Sequence, residues 1–230
     1  MIKARNLSIG YDAPLLEHVD FEIHEGECIM LCGANGSGKS TLLKTIAGMS
    51  KPLGGDLTVA GESVMVPTHI PKVKGFTLRD FIKMSCFSFS DWTGRLGKEA
   101  ERNMNEAIGL MGIGALTSKD ISTLSDGEFQ KGCIATALVR KANVIMLDEP
   151  TAFLDVENRI MVLETIRNIS SGSGTTVIFS SHDLHEGVKF CDKALSIGFD
   201  GKVRISSNEM ADKIETVKSG FRNKNIIFED

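Results

Sequence analysis

Three groups of residues in this 230-residue chain have types and spacings suited to phosphate chemistry. The first is Gly33-Ala34-Asn35-Gly36-Ser37-Gly38-Lys39-Ser40-Thr41, which fits the P-loop pattern G-x-x-x-x-G-K-[ST]. Such a loop turns backbone N–H groups inward at a helix N-terminus, where they bind phosphate oxygens. Lys39 is spaced to reach the β and γ phosphates, and the Ser40 hydroxyl to hold Mg²⁺. The motif implies a bound nucleoside triphosphate. The second group is Asp148-Glu149, two acids ending the apolar run Val144-Ile145-Met146-Leu147. Asp148 is placed to hold Mg²⁺, directly or through water, and Glu149 to polarise a water for in-line attack on the γ-phosphate. Without the P-loop, the pair would read as two solvated acids capping a strand. The third is His182, in Phe179-Ser180-Ser181-His182-Asp183. If its strand runs parallel beside that of Asp148, His182 lies next to the γ-phosphate and can orient water or Glu149. Its spacing alone describes an ordinary loop histidine equally well.

The elements that must position these groups follow from hydrophobic pattern. Cys28 to Cys32 is a short apolar stretch before the loop, and Thr41 to Ile46 follows it, giving strand, loop, helix. Residues 2–10 and 18–32 read as strands of a small β region, with turns at 10–14 and 25–27. The cluster from Ser50 to Asp56 reads as a breaker ending the P-loop helix. Leu57 to Ala60 and Ser63 to Val66 read as further strands. From about Pro67 to Thr123 apolar positions take helical spacing, at Leu78, Phe81 and Ile82 and at Ala107, Ile108, Leu110 and Met111. Glycines 94, 97, 109, 112 and 114 interrupt it. The runs 144–147, 175–180 and 194–197 are continuously apolar, as in strands buried on both faces. A helix with Ile160, Leu163, Ile166 and Ile169 on one face separates the first two, so the core is parallel α/β. The tail from Gly201 to Asp230 is more charged and shows little pattern.

Composition is that of an ordinary globular protein, with 42% hydrophobic and 24% charged residues. A net charge of −4 argues against nucleic acid as the main partner. Five cysteines, at 28, 32, 86, 133 and 191, form no CxxC pair and read as reduced core residues rather than metal ligands. The N-terminus lacks the apolar stretch of a signal peptide. No run reaches 18 apolar residues, so no membrane span is expected. A role in a membrane process would then be exercised from the surface.

Leu124-Ser125-Asp126-Gly127-Glu128 completes the pattern. With it, the sequence resembles the ATPase subunit of an ABC transporter over nearly its whole length. The resemblance implies an ABC-type P-loop NTPase spanning 1–230, with a parallel core sheet and an N-terminal antiparallel β region. The helical subdomain and signature motif are inserted at approximately 67–127. The family's signature is Leu-Ser-Gly-Gly-Gln, so Asp126 and Glu128 depart from it while Ser125 and Gly127 are kept. Ser125 hydroxyl and Gly127 N–H can donate to phosphate oxygens at the head of helix 128–139. Ser125 and Glu128 also have the spacing of a capping box, and the two readings are compatible. By resemblance Tyr11 stacks on adenine, although a lone tyrosine there could be core or surface. Thr151-Ala152-Phe153-Leu154-Asp155 matches the D-loop, with Asp155 acting across a dimer, and His182 matches the switch histidine.

The resemblance further implies a head-to-tail dimer with a second copy or a homologous subunit. Each ATP, with Mg²⁺, would lie between Lys39 of one subunit and Ser125, Gly127, Glu128 and Asp155 of the other. The expected partners are a polytopic permease and, for an importer, a separate substrate-binding protein. The expected location is peripheral, on the cytoplasmic face of the membrane. Gly75-Phe76-Thr77-Leu78-Arg79-Asp80-Phe81 is similar to ATPases of ferric-siderophore, haem and vitamin B12 importers. Phe76 and Leu78 are candidates for the groove that grips the permease, or else for helix packing. One departure stands at Val66-Pro67-Thr68-His69: relatives have glutamine where Thr68 sits, which predicts slower or differently coupled hydrolysis. The alternatives left open are another importer or an exporter, a soluble ABC ATPase, and a regulatory nucleotide-binding module.

Overall fold

The structure, a computed structural model, describes residues 1–86 and 96–222, so Gly94 lies outside the described residues. The elements run β1 (Ile2–Gly10), β2 (Pro14–Ile23), β3 (Cys28–Gly33), α1 (Lys39–Ile46), β4 (Gly54–Val59), β5 (Ser63–Val66), α2 (Leu78–Met84), α3 (Lys98–Leu110) and α4 (Asp126–Val139). They continue β6 (Val144–Leu147), α5 (Val156–Ser173), β7 (Thr176–Ser180), α6 (Leu184–Phe190), β8 (Lys193–Ile197), β9 (Val203–Ile205) and α7 (Met210–Ser219). β1, β2 and β4 form an antiparallel sheet in the order β2-β1-β4. The main sheet has the order β5-β6-β7-β3-β8-β9, parallel except where β9 runs antiparallel to β8.

The central strands β3, β6, β7 and β8 are buried on both faces, which their continuous apolar runs require, while the edge strands β5 and β9 are only partly buried. Along β3, Cys28, Met30 and Cys32 face the helices α2 to α6, while Ile29 and Leu31 face α1 and the antiparallel sheet. β6 and β7 alternate the same way, with Ile145, Leu147, Val177 and Phe179 on the helical side and Val144, Met146 and Ile178 on the other. Full burial of such a side chain stabilises by roughly 1.5–3 kcal/mol. A one-residue slip would exchange the two faces, so this packing fixes where Gly33, Asp148 and Ser180 emerge at the strand ends.

The helical stretch begins with a capping box. The Thr77 hydroxyl accepts from the Asp80 N–H at 3.1 Å, and the Asp80 carboxylate accepts from the Thr77 N–H at 3.3 Å. That cap sets the phase of α2. Leu78 is fully buried, and a Cβ on Gly132 of α4 would stand 2.5 Å from its Cδ1. Leu78 therefore packs helix on helix and is unavailable to any docking groove, whereas Phe76 is 40% exposed. α3 buries Ala100, Met104, Ala107 and Ile108, one helical stripe. Leu110, expected on that stripe, is exposed. These residues join the same apolar cluster as β3, β6 and β7, so the inserted helices share the core of the sheet.

Other expectations shift by a residue or two. Gly54 to Asp56 open β4 rather than only ending α1. α5 buries Val162, Leu163 and Ile166, with Ile160 and Ile169 at the rim of that face. The tail contains β9 and α7. Its anchors are the buried Val217 and Lys213, whose Nζ donates to the carbonyls of Val188 (3.2 Å) and Cys191 (2.9 Å) at the end of α6. A helix whose buried residues are a lysine, a threonine and a single valine carries little hydrophobic signal. All five cysteines are buried free thiols. Burial pushes Cys32 and Cys133 up to about 12 and Cys191 to about 11, as core residues should behave. Among the described residues no helix is long and apolar enough to cross a membrane.

Candidate functional site

β3 delivers the glycine-rich loop. Gly33 has φ 150°, and a Cβ there would lie 2.8 Å from the Ile197 carbonyl and 2.9 Å from Ser37 Oγ. Gly36 (φ 76°) and Gly38 (φ 105°) adopt the left-handed backbone that glycine permits. Gly38 caps α1 without any side-chain hydrogen bond, leaving the first N–H groups of the helix for an anion. The buried Ser37 hydroxyl has no hydrogen-bond partner among the described residues. Lys39 is 6% exposed, and its Nζ donates to the carbonyls of Gly33 (2.9 Å) and Ala34 (3.2 Å). Burial lowers the Lys39 pKa, while the charges of Glu149 and Asp148 oppose that shift. Thr41 is buried and Ser40 half-buried in the first turn; Asn35 and Gly36 are exposed. Tyr11, in the β1–β2 turn, is 61% exposed. The same hairpin brings Leu16 within 3.6 Å of a Cβ built on Gly38.

The second group gathers at the ends of β6 and β7, whose parallel register pairs Leu147 with Phe179. Asp148 is buried, its N–H donating to the Val66 carbonyl at 2.9 Å. Ser180, fully buried, donates from Oγ to Asp148 Oδ1 at 2.7 Å and accepts from the Glu149 N–H at 2.8 Å. Glu149 is left-handed at φ 54°; such a conformation costs a non-glycine residue roughly 1–2 kcal/mol. It turns the carboxylate toward His182, with Oε1 2.7 Å from Nε2. Glu149, His182, Arg159 and Asp183 line a cavity of about 550 Å³. Ser180 escaped the sequence reading, although a hydroxyl ending the strand beside Asp148 was a usable signal.

Ser125, Gly127, Glu128 and Asp155 line a separate concavity of about 300 Å³, together with Asp126 and Lys131. Neither concavity is lined by a P-loop residue. The expected capping box is formed: Ser125 Oγ accepts from the Glu128 N–H at 3.2 Å, and Glu128 Oε2 accepts from the Ser125 N–H at 2.8 Å. Accepting there leaves the Ser125 hydroxyl proton for another oxygen. The Ser125 N–H holds Glu128 below the usual carboxylate range, and the Asn158 N–H does the same for Asp155, the N-cap of α5. Arg159 ion-pairs with Asp183 and donates to the Leu154 carbonyl at 3.3 Å, joining the D-loop segment to the turn after His182. Thr68 is half-buried just beyond β5. His69 is exposed, its ring 5.6 Å from that of Phe153.

A phosphate-binding loop, with an Asp-Glu strand end and a histidine gathered at the carboxyl edge of a parallel sheet, defines a P-loop nucleoside triphosphatase. The separate signature turn and inserted helices make it the ABC type. Residues 16–152 match the ABC transporter family model, and the chain belongs to that family. It is 29% identical over 210 residues to the achromobactin transport ATP-binding protein CbrD of Dickeya dadantii, covering 85% of this chain and 78% of that protein. It is 31% identical over 193 residues to the petrobactin import ATP-binding protein FpuC of Bacillus anthracis, covering 78% and 71%. The fold matches an inward-facing ABC transporter structure described as of metal-chelate type, with TM-score 0.84, 23% identity and coverage of 95% of this chain and 87% of that one. It also matches a dimeric ATP-binding cassette bound to ADP and Pi, with TM-score 0.79, 22% identity and coverage of 91% and 99%. The chain is thus an ATP-binding subunit and an ATPase coupled to transport, working with a membrane permease.

Proposed function

We propose that this subunit powers import of a metal chelate, in the class of ferric siderophores, haem or cobalamin. The carrying observation is the division of the site into two halves. Lys39, Asp148, Glu149 and His182 gather at one sheet edge, and Ser125, Gly127, Glu128 and Asp155 in a concavity apart from the P-loop. Two copies arranged head to tail bring the halves together around two ATP molecules. In each, the P-loop and Lys39 bind the phosphates and Tyr11 stacks on the base. Ser40 and the buried carboxylate of Asp148 form a hard-oxygen donor set that fits Mg²⁺, which would supply charge neutralisation on the phosphates when bound. Glu149 accepts the proton of the attacking water, and His182, its Nε2 2.7 Å from Glu149 Oε1, orients it. ATP closes the dimer, and hydrolysis with product release opens it, a ligand-driven population shift that works on the permease.

The relatives' import of siderophores supports the substrate class, and a separate substrate-binding protein would deliver the chelate. The subunit sits peripherally on the cytoplasmic face. Purification from detergent-solubilised membranes of its own organism should bring down a polytopic protein at a one-to-one subunit ratio. A stable soluble complex without one would overturn the transport assignment.

Thr68 is too short to span to the attacking water without a bridging water. Thr68→Gln is therefore expected to raise turnover and change its stimulation by the permease. Unchanged rate and unchanged stimulation would sink this account of Thr68.

A further inference from the structure

Asp126 is an anion standing where the signature turn must receive the γ-phosphate. It precedes Gly127, follows Ser125 and lines the same concavity. Left alone, a carboxylate there repels a triphosphate, and more strongly as the closing dimer excludes water and lowers the local dielectric. The structure places a cation on it. Lys72 Nζ lies 2.7 Å from Asp126 Oδ1 and 2.7 Å from the Leu124 carbonyl, with the ammonium 5.6 Å from the centre of the Phe129 ring. The three contacts hold Lys72 against both ends of the Leu124–Asp126 turn and the first turns of α4. The Lys72 side chain is 24% exposed and that of Asp126 71%, so the pair adds little to folding. Its geometry suits charge control better than stability.

We propose that Lys72 is a positioning and charge-compensating residue that allows an aspartate to occupy the third signature position. Its ammonium neutralises Asp126 and fixes the Leu124 carbonyl, so that Ser125 and Gly127 meet the phosphate in a turn without net negative charge at Asp126. This rests on the proposed use of the signature across a dimer. Lys72 lies four residues beyond Thr68, so the same segment runs from the departed glutamine position to the departed signature position.

The test reads the ATP concentration that drives dimer formation, by sedimentation, in a Glu149→Gln background where turnover does not interfere. Lys72→Met is expected to raise that concentration about tenfold, the scale of one uncompensated charge at close range. Fluorescent-ATP binding to the monomer, made through the P-loop, should not change. Adding Asp126→Asn to Lys72→Met should bring the requirement back near the starting value, because the charge needing compensation is gone. Asp126→Asn alone, with Lys72 in place, should lower the requirement.

If Lys72 were only a brace for the Leu124 carbonyl, Asp126→Asn would not rescue Lys72→Met; that result overturns the proposal. A raised ATP requirement for Asp126→Asn alone overturns it too, and that variant decides the matter if Lys72→Met fails to fold. If Glu149→Gln itself forms no dimer with ATP while still binding nucleotide, the dimer reading falls and this inference with it. That outcome is distinct from a failed rescue.

Discussion

Glu149→Gln is expected to bind ATP with parental affinity, accumulate as a closed dimer and lose turnover by at least about a hundredfold. The loss follows from removing a general base, an effect typically worth 10²–10⁴ in rate. Glutamine is nearly isosteric, and the interactions that shape the turn survive the change. The backbone N–H of residue 149 still donates to Ser180 Oγ, the left-handed φ of 54° is retained, and Asp148 keeps its contact with Ser180. A glutamine oxygen can still accept from His182 Nε2, now 2.7 Å from Oε1. What disappears is the capacity to take a proton from water. Lys39 and the loop N–H groups, the proposed phosphate ligands, are untouched. Steady-state phosphate release measures the rate, and sedimentation with ATP measures the dimer. Turnover near the parental rate would refute the role given to Glu149.

The readable part of this molecule was the part governed by local rules. The P-loop announced itself because only glycine tolerates the backbone at Gly36 and Gly38, and a lysine must follow. Asp148 and His182 were legible because each follows a strand whose unbroken apolar run specifies burial on both faces, and parallel pairing brings those two strand ends together. The capping box at Ser125 is a four-residue pattern and formed as written. Contacts between distant segments stayed hidden. Lys72 reaches Asp126 across 54 residues, and nothing in the texture around a surface lysine marks its partner. Ser180 holds the Asp148 carboxylate and the Glu149 N–H through one hydroxyl, and its only local cue was its place at the end of the strand beside Asp148. Leu78 stood open between a docking groove and helix packing, and the packing reading holds because α2 meets α4 at Gly132, a position whose importance lies in the absent side chain. The strain at Glu149 is a tertiary effect, imposed by Ser180 and the sheet, against the preference of the residue itself.

The absent side chain at Gly127 gives the other large expected effect. Gly127 lies in the first turn of α4, where backbone N–H groups lack helical partners. A Cβ there would stand 3.0 Å from the Phe153 carbonyl oxygen and 3.2 Å from Leu154 Cδ2. Valine places two further methyl groups beyond that point, so the D-loop backbone must move and the concavity shared with Ser125 and Asp155 closes. Gly127→Val is expected to reduce turnover by about 10²–10³, the scale of losing one preorganised donor to a developing anion, because the valine methyls keep the phosphate from the retained N–H of residue 127. Monomer affinity for a fluorescent ATP analogue should stay at the parental value, since no P-loop residue lines this concavity. Valine has a better helix propensity than glycine, so a weaker α4 cannot account for the loss. The melting temperature should accordingly stay close to parental, apart from the cost of shifting the D-loop. Near-parental turnover in a folded Gly127→Val protein would mean that this turn does not meet the phosphate. The two-halves account of the site would then need a different receiver for the γ-phosphate.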